Sequence, residues 1–190
     1  MKSEIRILGI DDAPFSFSDK TTDILGVVMR GNGYMEAVLH DHIQIDGNDA
    51  TSICEQMITR TRHYAQLKAV LFDGATMGGF NILDIESIWK NTKIPVITVT
   101  RNQPDFIKIR LALKSHFSDW EKRIKLLEEG KMEKISTYYN PIYIKFKGIT
   151  FTKAKEIITL STIRGVIPEP LRVAHIIASG ISRGESYGKA

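Results

Sequence analysis

Apolar runs that stop on carboxylates are the strongest constraint on how this chain folds. Ile5-Arg6-Ile7-Leu8-Gly9-Ile10 runs into Asp11-Asp12, Ala69-Val70-Leu71-Phe72 into Asp73-Gly74, and His42-Ile43-Gln44-Ile45 into Asp46-Gly47-Asn48-Asp49. Short apolar runs bounded by turn residues read as buried strands. A carboxylate at the tip of such a strand belongs at the mouth of a sheet. If the strands are neighbours, their terminal carboxylates converge, and converging carboxylates need protons or a hard cation to coexist. Divalent-metal chemistry is the leading expectation.

The rest of the pattern builds a sheet around these runs. Residues 5–10, 23–30 and 34–45 predict an antiparallel opening, with Gly31-Asn32-Gly33 turning the chain between the last two. A helix follows over 50–65, with Ile53, Met57 and Ile58 on one face and Asp49 as a candidate cap. Then come a strand over 69–72, a glycine-rich turn over 73–80, a helix over 81–92 and a strand over 95–99. Pro104 is expected to start a helix running to 115, and a charged helix covers 119–129, with Ile124 and Leu127 facing inward. Weaker signals give strands over 134–136 and 142–147, helices over 152–162 and 169–182, and a polar, mobile tail from about 184. Strand–helix–strand units with short apolar strands imply parallel crossovers. The expected fold class is α/β, a mixed sheet with helices outside, as a single domain over 1–190.

Composition narrows the setting. A hydrophobic fraction of 43% supports a packed core and argues against disorder. A net charge of +4 pulls only weakly toward a polyanion. Cys54 is the sole cysteine, so no intrachain disulfide forms, which fits a reducing cytoplasm. Ile53, Met57 and Ile58 surround it on the helix, so it reads as a small buried hydrophobe. Neither a secretory signal nor a run approaching the ~20 apolar residues of a membrane span is present, so no membrane role is expected. Dinucleotide and phosphate-loop motifs and a Gly-x-Ser-x-Gly turn are absent. The calcium-loop reading of Asp46-Gly47-Asn48-Asp49 fails on Thr51, where glycine is required.

Each candidate has a plainer alternative. Asp11-Asp12 and Asp73-Gly74 would each pass as a turn, but together at strand ends they favour a site, because ligands gather at the carboxyl ends of strands in such sheets. Asp49 is as well explained by helix capping as by metal binding. Glu55, on the following helix, fits a solvated face slightly better than a metal role. A lone histidine such as His175 is usually structural. His40 and His42 share a strand face without an obvious third ligand and read as surface residues. Arg101, just past its strand, could face a phosphate or simply solvent.

Three stretches together resemble endonuclease V, of the ribonuclease H-like superfamily: Leu8-Gly9-Ile10-Asp11, Leu71-Phe72-Asp73-Gly74, and Ile167-Pro168-Glu169-Pro170-Leu171-Arg172-Val173-Ala174-His175. The fuller pattern is similar to an uncharacterised, largely archaeal sister family, the domain of unknown function ninety-nine. Its marks are Gly9-Ile10-Asp11-Asp12-x-Pro14-Phe15, Asp46-Gly47-x-Asp49-Ala50-Thr51, Asp73-Gly74-x-Thr76-x-Gly78-Gly79-Phe80-Asn81-x-x-Asp84, Pro95-Val96-Ile97-x-Val99-x-Arg101 and Gly184-Glu185-Ser186-x-Gly188. The resemblance implies a ribonuclease H-like mixed sheet with an antiparallel three-strand opening and helices on both faces. It implies Mg²⁺- or Mn²⁺-dependent hydrolysis of a phosphodiester in nucleic acid, DNA or RNA. Carried over by position, Asp11 and Asp73 match the two aspartate ligands, His175 falls near the metals, and Glu55 is the nearest match to a helix-borne glutamate. Arg101 replaces a lysine. Asp11, Asp73 and His175 are thus the catalytic candidates, with Asp46, Asp49 and Glu55 as further metal ligands and Arg101, Asp12 and Arg172 on the substrate side. Two departures stand out. The Pro-Tyr-Ile-Pro-Gly wedge of endonuclease V is replaced by Asp46-Gly47-Asn48-Asp49-Ala50-Thr51, and no histidine follows the Asp-Gly turn within residues 75–79. The alternatives are a non-catalytic module binding nucleic acid or protein, and a small-phosphoester hydrolase. The oligomeric state is not encoded in any motif.

Overall fold

In a computed structural model of the protein, residues 4–16, 18–31 and 33–187 are described. Asn32 in the expected turn and Gly188 in the closing motif lie outside them. The chain opens with strands β1 (Arg6–Asp12), β2 (Thr21–Arg30) and β3 (Tyr34–Gln44), followed by helix α1 (Ala50–Arg60). Next come β4 (Leu67–Asp73), the two-residue strands β5 (Thr76–Met77) and β6 (Asn81–Ile82), α2 (Ile85–Thr92) and β7 (Val96–Thr100). The second half holds α3 (Phe106–His116), α4 (Trp120–Glu128), β8 (Glu133–Ile135), β9 (Ile142–Lys147), α5 (Phe151–Ser161) and α6 (Glu169–Arg183).

Seven strands form one sheet in the order β3-β2-β1-β4-β7-β9-β8, with β5 and β6 pairing separately. β1, β4 and β7 are parallel, and β2 pairs antiparallel with both β1 and β3. The carboxyl ends of β1, β3, β4 and β7 therefore share one end of the sheet. The antiparallel opening and the parallel crossovers agree with the sequence reading.

Alternation along the strands feeds two cores. Leu8, Ile10, Ile24, Val70 and Phe72 pack against Cys54, Met57 and Ile58 of α1 and Ile88 of α2. On the opposite face, Ile7, Ala69, Leu71 and Ile97 meet Ala154, Ile157 and Ile158 of α5 and Leu171 of α6. Leu25 and Val27 meet Ala178 and Ala174 of α6. Each fully buried aliphatic chain stabilises by roughly 1.5–3 kcal/mol, so both faces hold their helices firmly. α3 and α4 pack on each other around Leu113, Ile124 and Leu127.

Several boundaries differ from expectation, each for a local reason. β1 continues through Asp11 and Asp12, which still pair with Leu25 and Ile24. The helix expected over 81–92 starts at Ile85, because the Asp84 carboxylate accepts from the amides of Glu86 and Ser87. Residues 76–82 are spent on the β5–β6 hairpin. Pro104 precedes α3 rather than starting it; Asp105 caps that helix by accepting from the Lys108 amide. α1 stops at Arg60 and a short 3-10 turn, Tyr64–Gln66, follows.

Candidate metal centre

β1 and β4 are adjacent and parallel, with Ile10 opposite Phe72. Their next residues, Asp11 and Asp73, therefore stand side by side at the carboxyl end of the sheet. α6 crosses the same face and delivers His175, whose Nδ1 lies 2.8 Å from Asp11 Oδ2. One ligand atom from each of Asp11, Asp73 and His175 lies within 4.8 Å of the others. The approach of α6 depends on Gly9. A Cβ there would sit 2.4 Å from the Pro170 carbonyl carbon, so only glycine lets the first turn of the helix rest on the strand. That close contact ties Gly9 to Pro170 and Leu171 in the first turn of α6.

Burial shapes the electrostatics. Asp11 is 4% exposed. Its carboxyl is pushed up to about 7, chiefly by burial and then by the charges of Asp73 and Asp12, against the opposing hydrogen bond from His175. Asp73 is also raised by burial, with Arg101 and His175 pulling the other way. Asp12 is raised by burial, although it accepts from the Gly78 amide at 2.9 Å. His175 is raised by its hydrogen bond to Asp11. A buried and a partly buried carboxylate, both raised and side by side, are stabilised by positive charge, so the donors present fit a hard divalent cation.

Other expected ligands are not brought to this cluster. β3 lies at the sheet edge, separated from β1 by β2. The loop after it therefore starts roughly two strand spacings, ~10 Å, from Asp11. Asp46 accepts from the Phe80 amide at 2.8 Å. Asp49 occupies the cap position of α1 without capping it; its carboxylate accepts from the Gln44 amide and from Asn81 Nδ2. Asn81 supplies the cap, accepting from the Ala50 amide at 3.0 Å. Glu55 accepts from Asn91 Nδ2 at 2.9 Å and belongs to α1, which packs on the face opposite α6. Arg123 went unnoticed in a charged helix. It is 6% exposed and binds Asp119 and the carbonyls of Gly47 and Phe80, tying this loop to the β5–β6 hairpin.

A cleft of about 1200 Å³ opens beside the centre, lined by His175 together with Arg101, Arg164, Arg172, Tyr143 and Tyr187, among others. Arg172 is held by Glu169 in a bidentate pair, Nε donating to Oε1 and Nη2 to Oε2. Arg101 Nη2 is buried and has no hydrogen-bond partner among the described residues. Arg164 and the two tyrosines carried no motif signal, because they reach the cleft from separate elements.

Sequence comparison settles the family: the profile of endonuclease dU matches residues 3–182. The chain belongs to the endonuclease dU family. A UPF0215 protein of Methanosarcina acetivorans is 50% identical over 193 residues, covering 100% of this chain and 97% of that protein. A crystal structure of a protein of unknown function from Archaeoglobus fulgidus superposes with TM-score 0.84 at 37% identity, covering 94% of this chain and 98% of that one. Endonuclease V of Ciona intestinalis, in complex with a 24mer DNA containing an inosine followed by a ribo-adenosine, superposes with TM-score 0.59 at 14% identity, over 90% of this chain and 83% of that one. This endonuclease dU family member therefore has the ribonuclease H-like fold of endonuclease V. Among the described residues, no helix is long and apolar enough to cross a membrane.

Proposed function

We propose that this protein is a divalent-metal-dependent endonuclease that hydrolyses a phosphodiester in nucleic acid. The observation that carries this reading is the convergence of Asp11, Asp73 and His175 at the edge of an arginine-lined cleft. Asp11 and Asp73 would hold Mg²⁺ or Mn²⁺, with His175 beside them. When bound, the cation supplies Lewis-acid stabilisation of charge on the phosphoryl oxygens. The chain's own groups do the rest. Arg101 offers to a phosphate oxygen a guanidinium nitrogen that has no partner among the described residues, a charge-assisted bond suited to holding the scissile group. Asp11 fixes the orientation of the His175 ring through Nδ1. The ring is thereby positioned to exchange a proton with the cleft. Arg172 and Arg164 extend the positive lining for the flanking backbone. Asp12 anchors the Gly78 amide and so supports the wall of the site. Asp46, Asp49 and Glu55 keep structural roles in this reading.

The family's description directs the first substrate to try, DNA carrying deoxyuridine, with inosine-containing DNA and RNA as comparators. Labelled strands are incubated with Mg²⁺ or Mn²⁺. The expected result is metal-dependent cleavage that Asp11→Asn reduces by at least about a thousandfold, as for loss of a group that stabilises charge in the reaction. Undiminished cleavage by that variant would overturn the reading. Binding without turnover under every metal condition would favour a non-catalytic module instead.

A further inference from the structure

A second cluster of metal-ligating side chains lies outside the cleft. In the β2–β3 ladder Asp23 pairs with His42, and Leu25 pairs with His40. His40 and His42 are two apart on one strand, so their side chains share a face, and the residue directly across the ladder joins them. The Asp23 Oδ1 atom lies 2.7 Å from His40 Nε2 and 2.9 Å from His42 Nδ1. The imidazole rings meet edge to face with centroids 4.7 Å apart. One ligand atom from each of the three residues lies within 4.8 Å of the others.

We infer that Asp23, His40 and His42 form a binding site for a borderline transition-metal cation of the Zn²⁺ class. Two imidazoles and one carboxylate match the nitrogen-and-oxygen preference of such ions, whereas Mg²⁺ prefers an all-oxygen shell. The ligands come from a continuous antiparallel ladder, so the ladder itself holds the triad and little ordering remains to be done on binding. The His40 and His42 side chains are 48% and 61% exposed, so a cation reaches them from solvent and keeps open coordination positions. The neighbouring cation, Arg60, pairs with Asp41, whose side chain alternates to the opposite face, and its other contact is the His40 carbonyl. Arg60 therefore does not compete for the triad's ligand atoms.

The site is distinct from the cleft yet oriented with it. Asp11 pairs with Leu25, and Leu25 with His40. The triad thus lies on the same sheet face as Asp11, with Asp23 on the neighbouring strand and the two histidines one strand further, ~10 Å from β1.

The test is calorimetric titration of the untagged protein with Zn²⁺ in millimolar Mg²⁺. The wild type is expected to bind one Zn²⁺ that Mg²⁺ does not displace, and Asp73→Asn to retain it. His40→Ala and His42→Ala, at exposed positions that leave the fold intact, are each expected to weaken it by more than about tenfold. Unchanged affinity in both histidine variants would overturn the inference. So would loss of all Zn²⁺ binding in Asp73→Asn, which would place the ion in the cleft. Either result leaves the nuclease reading to its own experiment.

Discussion

Arg101 shows what a single side chain contributes beyond charge count. It follows β7 directly, influences Asp73, and carries a buried nitrogen without a partner among the described residues. A charge-assisted hydrogen bond is worth roughly 1.5–3 kcal/mol. Steady-state cleavage assays of Arg101→Ala should therefore show KM raised about tenfold or more, with Arg101→Lys recovering part of the loss and the shape of the pH profile unchanged. A lowered kcat at constant KM would contradict phosphate anchoring. The same comparison separates what was legible in the sequence from what was not. Asp11 and Asp73 were legible because each closes an apolar strand, and strand ends can be found by reading along the chain. His175 was legible only through its motif, since helix periodicity does not say which strand the helix covers. The Asp23–His40–His42 triad was illegible because its third member lies across a ladder whose register no local pattern states. Asp46 and Asp49 are not brought to the Asp11–Asp73–His175 cluster for a related reason. They end a strand at the correct end of the sheet, but that strand is at the edge.

At the scale of elements, the decisive contact is α6 on β1. Gly9 leaves no room for a Cβ against Pro170, whereas a Cβ at Gly180, further along the same helix, meets nothing within 4 Å. Gly9→Ala should destabilise by roughly 1–3 kcal/mol through overpacking and reduce cleavage further by displacing His175. Gly180→Ala should stabilise by about 0.5–1 kcal/mol, because alanine restrains the unfolded chain at a helical position. Urea midpoints of the two variants, measured side by side, check the pair. Equal and small effects would mean that α6 docks more loosely than the 2.4 Å approach requires. Secondary structure was mostly legible because periodicity and capping residues are local. The exception, residues 76–82, is instructive. Gly78 and Gly79 take positive φ, and Asn81 is fully buried, capping α1 while binding Asp49 and the Gln44 carbonyl. Part of a family mark in the sequence, these residues splice a hairpin to a helix start across the chain.

For the molecule as a whole, the site carries a pH-dependent cost that a bound cation would remove. Asp11 is raised to about 7 and Asp73 is raised with it, mainly by burial, while His175 is raised by Asp11. Groups raised in the folded state bind more protons there than in the unfolded chain. Their stabilising contribution is complete below the ordinary carboxylate range and is lost as pH rises through about 7. Glu36 and Asp119 have the opposite sign. Arg6 and Arg123 hold them low, so their contribution fails only as pH drops into the acid range. Between about pH 5 and pH 8 the site dominates, and the metal-free protein should melt at a lower temperature at the higher pH. Saturating Mg²⁺ or Mn²⁺ replaces the missing protons. At a hundredfold excess over Kd, binding adds about 2.7 kcal/mol, and because the ion needs both carboxylates ionised, its stabilisation should be larger near pH 8 than near pH 5. Asp11→Asn removes the buried charge, so it should raise the melting temperature of the metal-free protein at the higher pH and abolish the metal-induced increment. Thermal shift measured with and without metal at both pH values tests this balance. A metal increment that is equal at the two pH values, or that survives in Asp11→Asn, would mean that the cation binds away from the carboxylates where β1 and β4 end.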